Sequence, residues 1–351
     1  MLKAKAIRIR EPGGPEVLEV GEIELSAPGP SQVLIEVAAA GLNRADCLQR
    51  RGFYPAPPGV PADVPGLEFA GLVESVGDRV RDWKPGDRVM GIVGGGSMAT
   101  RLVTEGAELM TVPAQLSLEE AAAVPEVFLT AYDAVVLQGG LRAAQTVLLH
   151  AVASGVGTAG IQIATAIGAS SIGTSRSAHK LPRCTELGLT HAVLVEDGQF
   201  ADKVLAAVPT GANVILDTVG AAYLSQNIKV IAKQGRLIVI GLMGGVKAEL
   251  SLGALLAKRA SVHGSVLRSR SSKEKAELTT SFTNEMLGKF ESGTLKPIVD
   301  EVMEMADVQS AHERMDSNET FGKLVLRWYR SLPRSPEDKV SGHEGSDRKR
   351  S

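Results

Sequence analysis

From Thr146 to Gly160 the chain reads TVLLHAVASGVGTAG, an apolar stretch that empties into Gly155, Gly157 and Gly160 in G-x-G-x-x-G spacing. Few folds accept such a segment. An apolar strand without polar alternation must be covered on both faces, and the helical apolar spacing of Ile161-Gln162-Ile163-Ala164 that follows makes the crossover a helix. The chain is thereby committed to a parallel strand, a glycine turn and a helix N-terminus. In that setting backbone N–H groups face outward where a pyrophosphate can sit, as in a dinucleotide site. The same spacing also serves a bare strand-to-helix turn, so its surroundings must decide.

The decisive stretch lies about twenty residues further on, where a site for NAD carries an acid for the ribose 2′-OH and a site for NADP carries cations and hydroxyls. Here the segment from Ser171 to Lys180 contains no acid. Arg176 and Lys180 supply charge, and Ser175 and Ser177 supply hydrogen-bond donors, so NADPH is the expected cofactor. A solvated loop in which Ser177 caps the next helix is the plainer alternative, and the two are compatible.

The rhythm of the chain changes twice. Up to residue 126 short β-like runs are broken by Gly and Pro, as in a β-rich antiparallel domain. From 127 to 271, six short β-branched runs alternate with helical stretches (TVLLHAV, SSIGTS, HAVLVE, NVILDTV, GRLIVIG and SVHGSVL), which describes a doubly wound parallel sheet. After 272 an amphipathic helix is predicted over KEKAELTTSFTNEMLGKFESG, and KLVLRWY is a terminal strand able to rejoin the first domain. The expected division is therefore 1–126 with 272–330, then 127–271, with 331–351 a disordered tail. A length of 351 residues suits two domains, and a net charge of −2 gives no pull toward nucleic acid or a membrane. The N-terminus lacks the apolar core of a signal peptide, and no apolar run is long enough for a spanning helix. Cys47 and Cys184 are the only cysteines, which argues against a disulfide framework and for a reducing, cytoplasmic setting.

The segments EPGGPEVL, GLNRADCLQRRGFYPAPPG, PGLEFAGLVESVG, WKPGDRVMG, AAAVPEVFLTAYDAV, HAVASGVGTAGIQIA, GRLIVIGLMGG, LRSR and FGKLVL carry a resemblance that extends over residues 1–330. Together they resemble the medium-chain dehydrogenase/reductase superfamily, in its zinc-independent quinone oxidoreductase branch, with LNRAD, GLMGG and LRSR nearest its tumour-suppressor-inducible group. The resemblance implies an α/β fold: a GroES-like β-rich domain, formed by both ends of the chain, plus a Rossmann domain with a doubly wound parallel sheet. It implies that Ser154, Gly155, Val156 and Gly157 hold a pyrophosphate. Gly241, Leu242 and Met243 would approach the nicotinamide half, Ser265, Val266 and Leu267 its carboxamide, and Lys323 would lie near the cofactor. Arg268 and Arg270 would add charge at the cleft, with solvated loop cations the alternative. It further implies a homodimer whose sixth strands meet edge to edge.

A catalytic zinc needs three close protein ligands. In the metal-dependent branch a Cys stands where this chain has Asn43, and a His where it has Leu67, so no metal is expected. Cys47 reads as a small buried side chain, His150 as structural and Asp217 as a helix cap. Without a Lewis acid, hydride transfer must use an acceptor that is already electron-poor, such as a quinone or other conjugated carbonyl. The resemblance then makes Asn43 and Tyr54 the candidate catalytic residues, orienting acceptor or cofactor, with Tyr54 a modest acid; a turn residue and a packed aromatic are the alternatives. The expected function is NADPH-dependent quinone reduction. Reduction of 2-alkenals or enoyl thioesters, and a catalytically weak NADPH-binding sensor or scaffold, are the competing readings.

Overall fold

The first four strands run eight to eleven residues, longer than the short β-like runs expected, and their alternation puts one face inside. In the computed structural model, which describes residues 1–328, β1 (Leu2–Ile9) and β2 (Leu18–Leu25) form an antiparallel ribbon. β3 (Gln32–Leu42), β4 (Glu68–Val76), β5 (Arg88–Ile92), β6 (Arg101–Glu105) and β7 (Leu109–Thr111) belong to a second sheet around Val33, Ile35, Phe69, Val89 and Leu102. The segment expected to be a disordered tail lies outside the described residues.

The parallel sheet comes next: β8 (Thr146–Leu149), β9 (Ser170–Ser175), β10 (His191–Leu194), β11 (Ala212–Asp217), β12 (Ile231–Val239) and β13 (Ser261–Gly264). They lie in the order β10-β9-β8-β11-β12-β13 with every pairing parallel. This is the doubly wound Rossmann arrangement, and its crevice opens at the C-terminal ends of β8 and β11, where the strand order reverses. Val147, Leu148 and Leu149 are fully buried, as a strand covered on both faces requires. Under the crevice runs a buried polar chain: His150 is 2.8 Å from Thr174 Oγ1 and 2.7 Å from Asn227 Oδ1, while Asn227 Nδ2 donates to Asp217 Oδ2 at 3.0 Å. The other Asp217 oxygen accepts from Val219 and Gly220 N–H, so His150 and Asp217 both serve the scaffold. No helix of the described residues is long and apolar enough to cross a membrane.

β14 (Val299–Glu304) and β15 (Lys323–Arg327) return to the first sheet, where β15 pairs antiparallel with β3. The helix predicted after residue 272 is α-helical over Ser272–Phe282, widens over Thr283–Leu287 and resumes over Gly288–Glu291. Its buried Leu278, Phe282, Met286 and Phe290 recur every four residues. An α-helix drifts about 40° for each such step, and a widened turn restores the face. The helices Arg44–Arg50 and Val308–Ser317 are not among the elements predicted from sequence, although the second buries Val308, Ala311, His312 and Met315 at helical spacing. They are joined through the fully buried Arg50, which reaches His312 Nδ1 at 3.0 Å and Asp316 Oδ2 at 2.9 Å, with Cys47 buried beside them.

The two sheets meet at the glycine turn. Gly322 N–H donates to Ala153 O at 2.9 Å, and Gly322 bridges Ser154 just before β15 begins. Gly322 has φ +81°, and a Cβ there would lie 2.2 Å from the Ile298 carbonyl oxygen. We expect Gly322→Ala to destabilise the protein by about 1–3 kcal/mol, read as a lower denaturant midpoint, because backbone on both sides must move.

Candidate active site

At the centre of the crevice is a cation held by three oxygens. Lys323 Nζ lies 2.6 Å from Glu68 Oε1, 2.7 Å from Asn43 Oδ1 and 2.7 Å from the Leu42 carbonyl, and both Lys323 and Glu68 are buried. The three ammonium protons are thereby used. β3, β4 and β15 are neighbours in one sheet, which is why residues far apart in sequence converge here. Asn43 spends its amide N–H groups on Glu68 Oε1 at 2.9 Å and on the Gly41 carbonyl at 3.3 Å. Expected to orient an acceptor, Asn43 is thus engaged on both sides of its amide and fixes the Lys323–Glu68 pair. Asp46, in the next helix, accepts from Asn43 and Gly66 N–H. Burial pushes its carboxyl up to about 6 against the pull of those donors.

The donor set does not suit a zinc ion. The Asn43 amide oxygen is taken by an ammonium, Leu67 is an aliphatic side chain buried in the protein, and among the described residues no three His, Cys, Asp or Glu side chains converge as ligands.

Beside this cluster the glycine turn fits a dinucleotide. Ser154 caps the helix Gly155–Ala166, its Oγ accepting from Gly157 N–H at 3.2 Å. The first-turn N–H groups of Gly155 and Val156 have no intrahelical carbonyl to bond. A Cβ at Gly157 would sit 2.4 Å from Val152 O, and one at Gly155 would sit 2.7 Å from Lys323 Cδ, so only glycine allows the turn to lie this close to the cation cluster. Across the crevice Gly241 passes close to Thr218, whose buried hydroxyl has no partner, and Leu242 and Met243 present exposed apolar surface.

At the end of β9, Arg176 is exposed and has no ion pair among the described residues, whereas the Ser175 hydroxyl donates to the Ser177 carbonyl and accepts from the Ser177 N–H. Lys180, expected beside Arg176 at a phosphate, is instead buried. Its ammonium donates to the carbonyls of Asn318 and Thr320 at 2.6 and 2.8 Å, so the charge is spent on joining the two domains.

The loop after β13 makes a second crossing. Arg268, expected as cleft charge, is buried, donating to Tyr54 O at 2.9 Å, Gly94 O at 2.6 Å and Gln49 Oε1 at 2.6 Å, with its guanidinium 4.9 Å from the Tyr54 ring centre. Arg270 is no solvated cation either: it pairs with Asp133 at 2.7 Å and reaches the Ser265 hydroxyl, which Gln138 also meets. Leu267, just before these arginines, is buried in the apolar core and Val266 is exposed. Tyr54 is fixed through its backbone and ring while its hydroxyl makes no bond within the described residues. Burial pushes that phenol up, so it stays protonated. Phe53 beside it is exposed.

One site residue escaped the sequence reading. Glu126 follows Pro125 at the start of the helix Pro125–Tyr132, where an acid looks like ordinary first-turn helix stabilisation. Its N–H donates to Glu68 Oε2 at 2.8 Å, which draws it into the Lys323 cluster. Burial, and after it the neighbouring Glu68 charge, push its carboxyl up to about 8 against the opposing pull of Lys323.

The family models that match this chain are an alcohol dehydrogenase GroES-like domain, over residues 29–129, and a zinc-binding dehydrogenase domain, over residues 155–283. The chain is 32% identical over 327 residues to the quinone oxidoreductase of Lama guanicoe, covering 92% of this chain and 97% of that one. It is 30% identical to the synaptic vesicle membrane protein VAT-1 homolog of Rattus norvegicus, covering 86% of this chain and 78% of that one. Among solved structures, the Escherichia coli quinone oxidoreductase complexed with NADPH superposes with a TM-score of 0.83 at 28% identity, covering 92% of this chain and 99% of that one.

Removing the central cation isolates a buried carboxylate. We expect Lys323→Met to cost about 3–5 kcal/mol, measured by chemical denaturation, because Glu68 loses its charge partner without gaining solvent.

Proposed function

Because the chain belongs to the medium-chain dehydrogenase/reductase superfamily, we propose that it is an NADPH-dependent, zinc-independent oxidoreductase that reduces quinones by hydride transfer. The observation that carries this reading is that one strand serves both halves of the site. Gly322 bonds the phosphate turn through Ala153, and the next residue, Lys323, holds Glu68 and Asn43. A dinucleotide lying along Ser154, Gly155, Val156 and Gly157 therefore ends beside the Lys323 cluster, with Gly241, Leu242 and Met243 on one side and Ser265, Val266 and Leu267 on the other. When bound, the reduced nicotinamide supplies hydride from its ring C4.

The protein's residues do the rest. Arg176, with Ser175 and Ser177 beside it, meets the ribose 2′-phosphate as an exposed, uncommitted cation. The Tyr54 hydroxyl, free to donate, orients the acceptor carbonyl, and Arg268 holds the loop that carries it. Asn43 keeps Lys323 and Glu68 in register. With Lys323 already neutralised by Glu68, no strong electrophile polarises the acceptor, which favours a quinone or another conjugated carbonyl over a simple ketone. Cys47 and Cys184, both unpaired and buried, suit a reducing cytoplasmic setting.

β13 ends the parallel sheet with an open edge, and Val262 on it and Leu252 and Leu256 on the neighbouring helix are exposed, which suits pairing with the same edge of a second copy. We expect the wild type to elute at dimer mass and Leu256→Arg at monomer mass in size exclusion with light scattering; an unchanged dimer would place the contact elsewhere.

The function is tested by following loss of nicotinamide absorbance with ortho-naphthoquinone, benzoquinone and a conjugated alkenal, using NADPH and NADH, with and without chelator. Quinone-dependent, NADPH-selective and chelator-insensitive oxidation is expected. Faster alkenal than quinone reduction would move the substrate class to conjugated carbonyls, and NADPH binding without turnover would leave a binding protein. Arg176→Glu is expected to lower the NADPH over NADH preference by about 10- to 100-fold, as loss of charge-assisted bonds predicts.

A further inference from the structure

Reduction of a quinone or enone by hydride leaves an oxyanion that needs a proton, and the crevice offers few groups able to give one. Lys323 has all three ammonium protons committed to Leu42, Asn43 and Glu68. Asp46 is fully buried with both oxygens held by backbone N–H groups, and Glu68 is tied on one oxygen to Lys323 and on the other to Glu126 N–H. Arg268 is locked to three carbonyl-type oxygens, and Tyr54 is a weaker acid than an ordinary phenol. The remaining carboxyl is that of Glu126. It makes no hydrogen bond or ion pair among the described residues and keeps part of its surface exposed. The start of the helix that carries it lines the crevice: the Glu126 N–H holds Glu68, and the next side chain, Val127, comes within 2.8 Å of where a Cβ on Gly155 of the phosphate turn would stand.

We propose that Glu126 is the proton donor of the reaction, its carboxyl protonating the acceptor oxygen as hydride arrives. The proposal rests on the oxidoreductase function above. The balance is complete: NADPH gives up hydride and becomes NADP⁺, and the acceptor gains the electron pair. The carboxyl O–H bond of Glu126 breaks as a new O–H bond forms on the acceptor, and the resulting carboxylate takes a proton from water before the next turnover. The charged and titratable groups around Glu126 are Glu68 on β4, Asp46, Lys323 on β15, Lys275 on the helix Ser272–Phe282, Tyr54 and Arg268. Desolvation together with the two carboxylates outweighs the two lysines, so the acid form persists to about pH 8. A protonated donor is thus present at neutral pH, and donation fails as pH rises through that value.

The experiment compares wild type, Glu126→Gln and Glu126→Asp as full-length proteins, measuring NADPH dissociation constants by fluorescence and pH profiles of kcat and kcat/KM with a quinone and an enone. The wild-type kcat is expected to fall above pH about 8. Glu126→Gln should bind NADPH within about twofold of wild type, lose about 100-fold in kcat and lose the alkaline limb, since a general acid contributes on that scale. Glu126→Asp should keep a displaced limb and recover part of the rate, which a merely structural role would not produce. Glu126→Gln with wild-type kcat and an unchanged limb would overturn the proposal while leaving the oxidoreductase function intact, as would an Asp variant whose limb is identical to wild type. NADPH binding without turnover of any acceptor by the wild type would overturn both.

Discussion

The buried pair between Lys323 and Glu68 governs the arrangement of the crevice. Two opposite charges withdrawn from water cost more in desolvation than a surface pair returns, so each must be saturated with further bonds to be tolerated. Saturation recruits Asn43, the Leu42 carbonyl and the N–H of Glu126, and through them β3, β4, β15 and the helices that begin at Arg44 and Pro125. Residues distant in sequence are thereby fixed within hydrogen-bonding distance of one another. That rigidity gives a site its geometry before anything binds.

The same demand places the charges around the site. Lys323 is neutralised by Glu68, which leaves Glu126 facing a like charge with little water to disperse it, and desolvation then holds it in the acid form at neutral pH. Arg268 and Lys180, both cations from the parallel-sheet domain, cross to the other domain and end on carbonyl oxygens. They spend their charge on holding the walls of the crevice together. Arg176, at the end of β9, is the contrasting case: it lies outside these networks, and its charge is available to a ligand.

Much of the parallel-sheet domain was legible because its signals are local. A strand buried on both faces must be apolar throughout, and a turn whose Cβ atoms would strike Val152 O must be glycine, so β8 and the phosphate turn are written in consecutive residues. The absence of an acid after β9 is equally local. The side-chain partners were not legible. Lys180 and Arg268 looked like free cleft cations because nothing nearby in sequence announces the carbonyls of Asn318 and Thr320, or those of Gly94 and Tyr54, that claim them. Asn43 looked free to meet a ligand until β15 brought Lys323 against it. Glu126 went unnoticed because an acid in a first helical turn is commonplace, and only the packing of Glu68 against its N–H marks it as different.

By itself the sequence determined the fold class, the position of the glycine turn, the lack of zinc ligands at Asn43 and Leu67, and the cation and hydroxyls after β9, since these depend on residue type at short spacing. Only the tertiary structure decided which cations remain free, which carboxyl is desolvated, and which side chains meet where the two ends of the chain close. Those outcomes depend on contacts between residues far apart in the chain, such as Leu42 with Lys323, 281 positions apart, and Gly94 with Arg268, 174 apart. The physical reason is that burial and charge pairing are properties of a three-dimensional neighbourhood, whereas the turn and the strand are properties of the adjoining backbone.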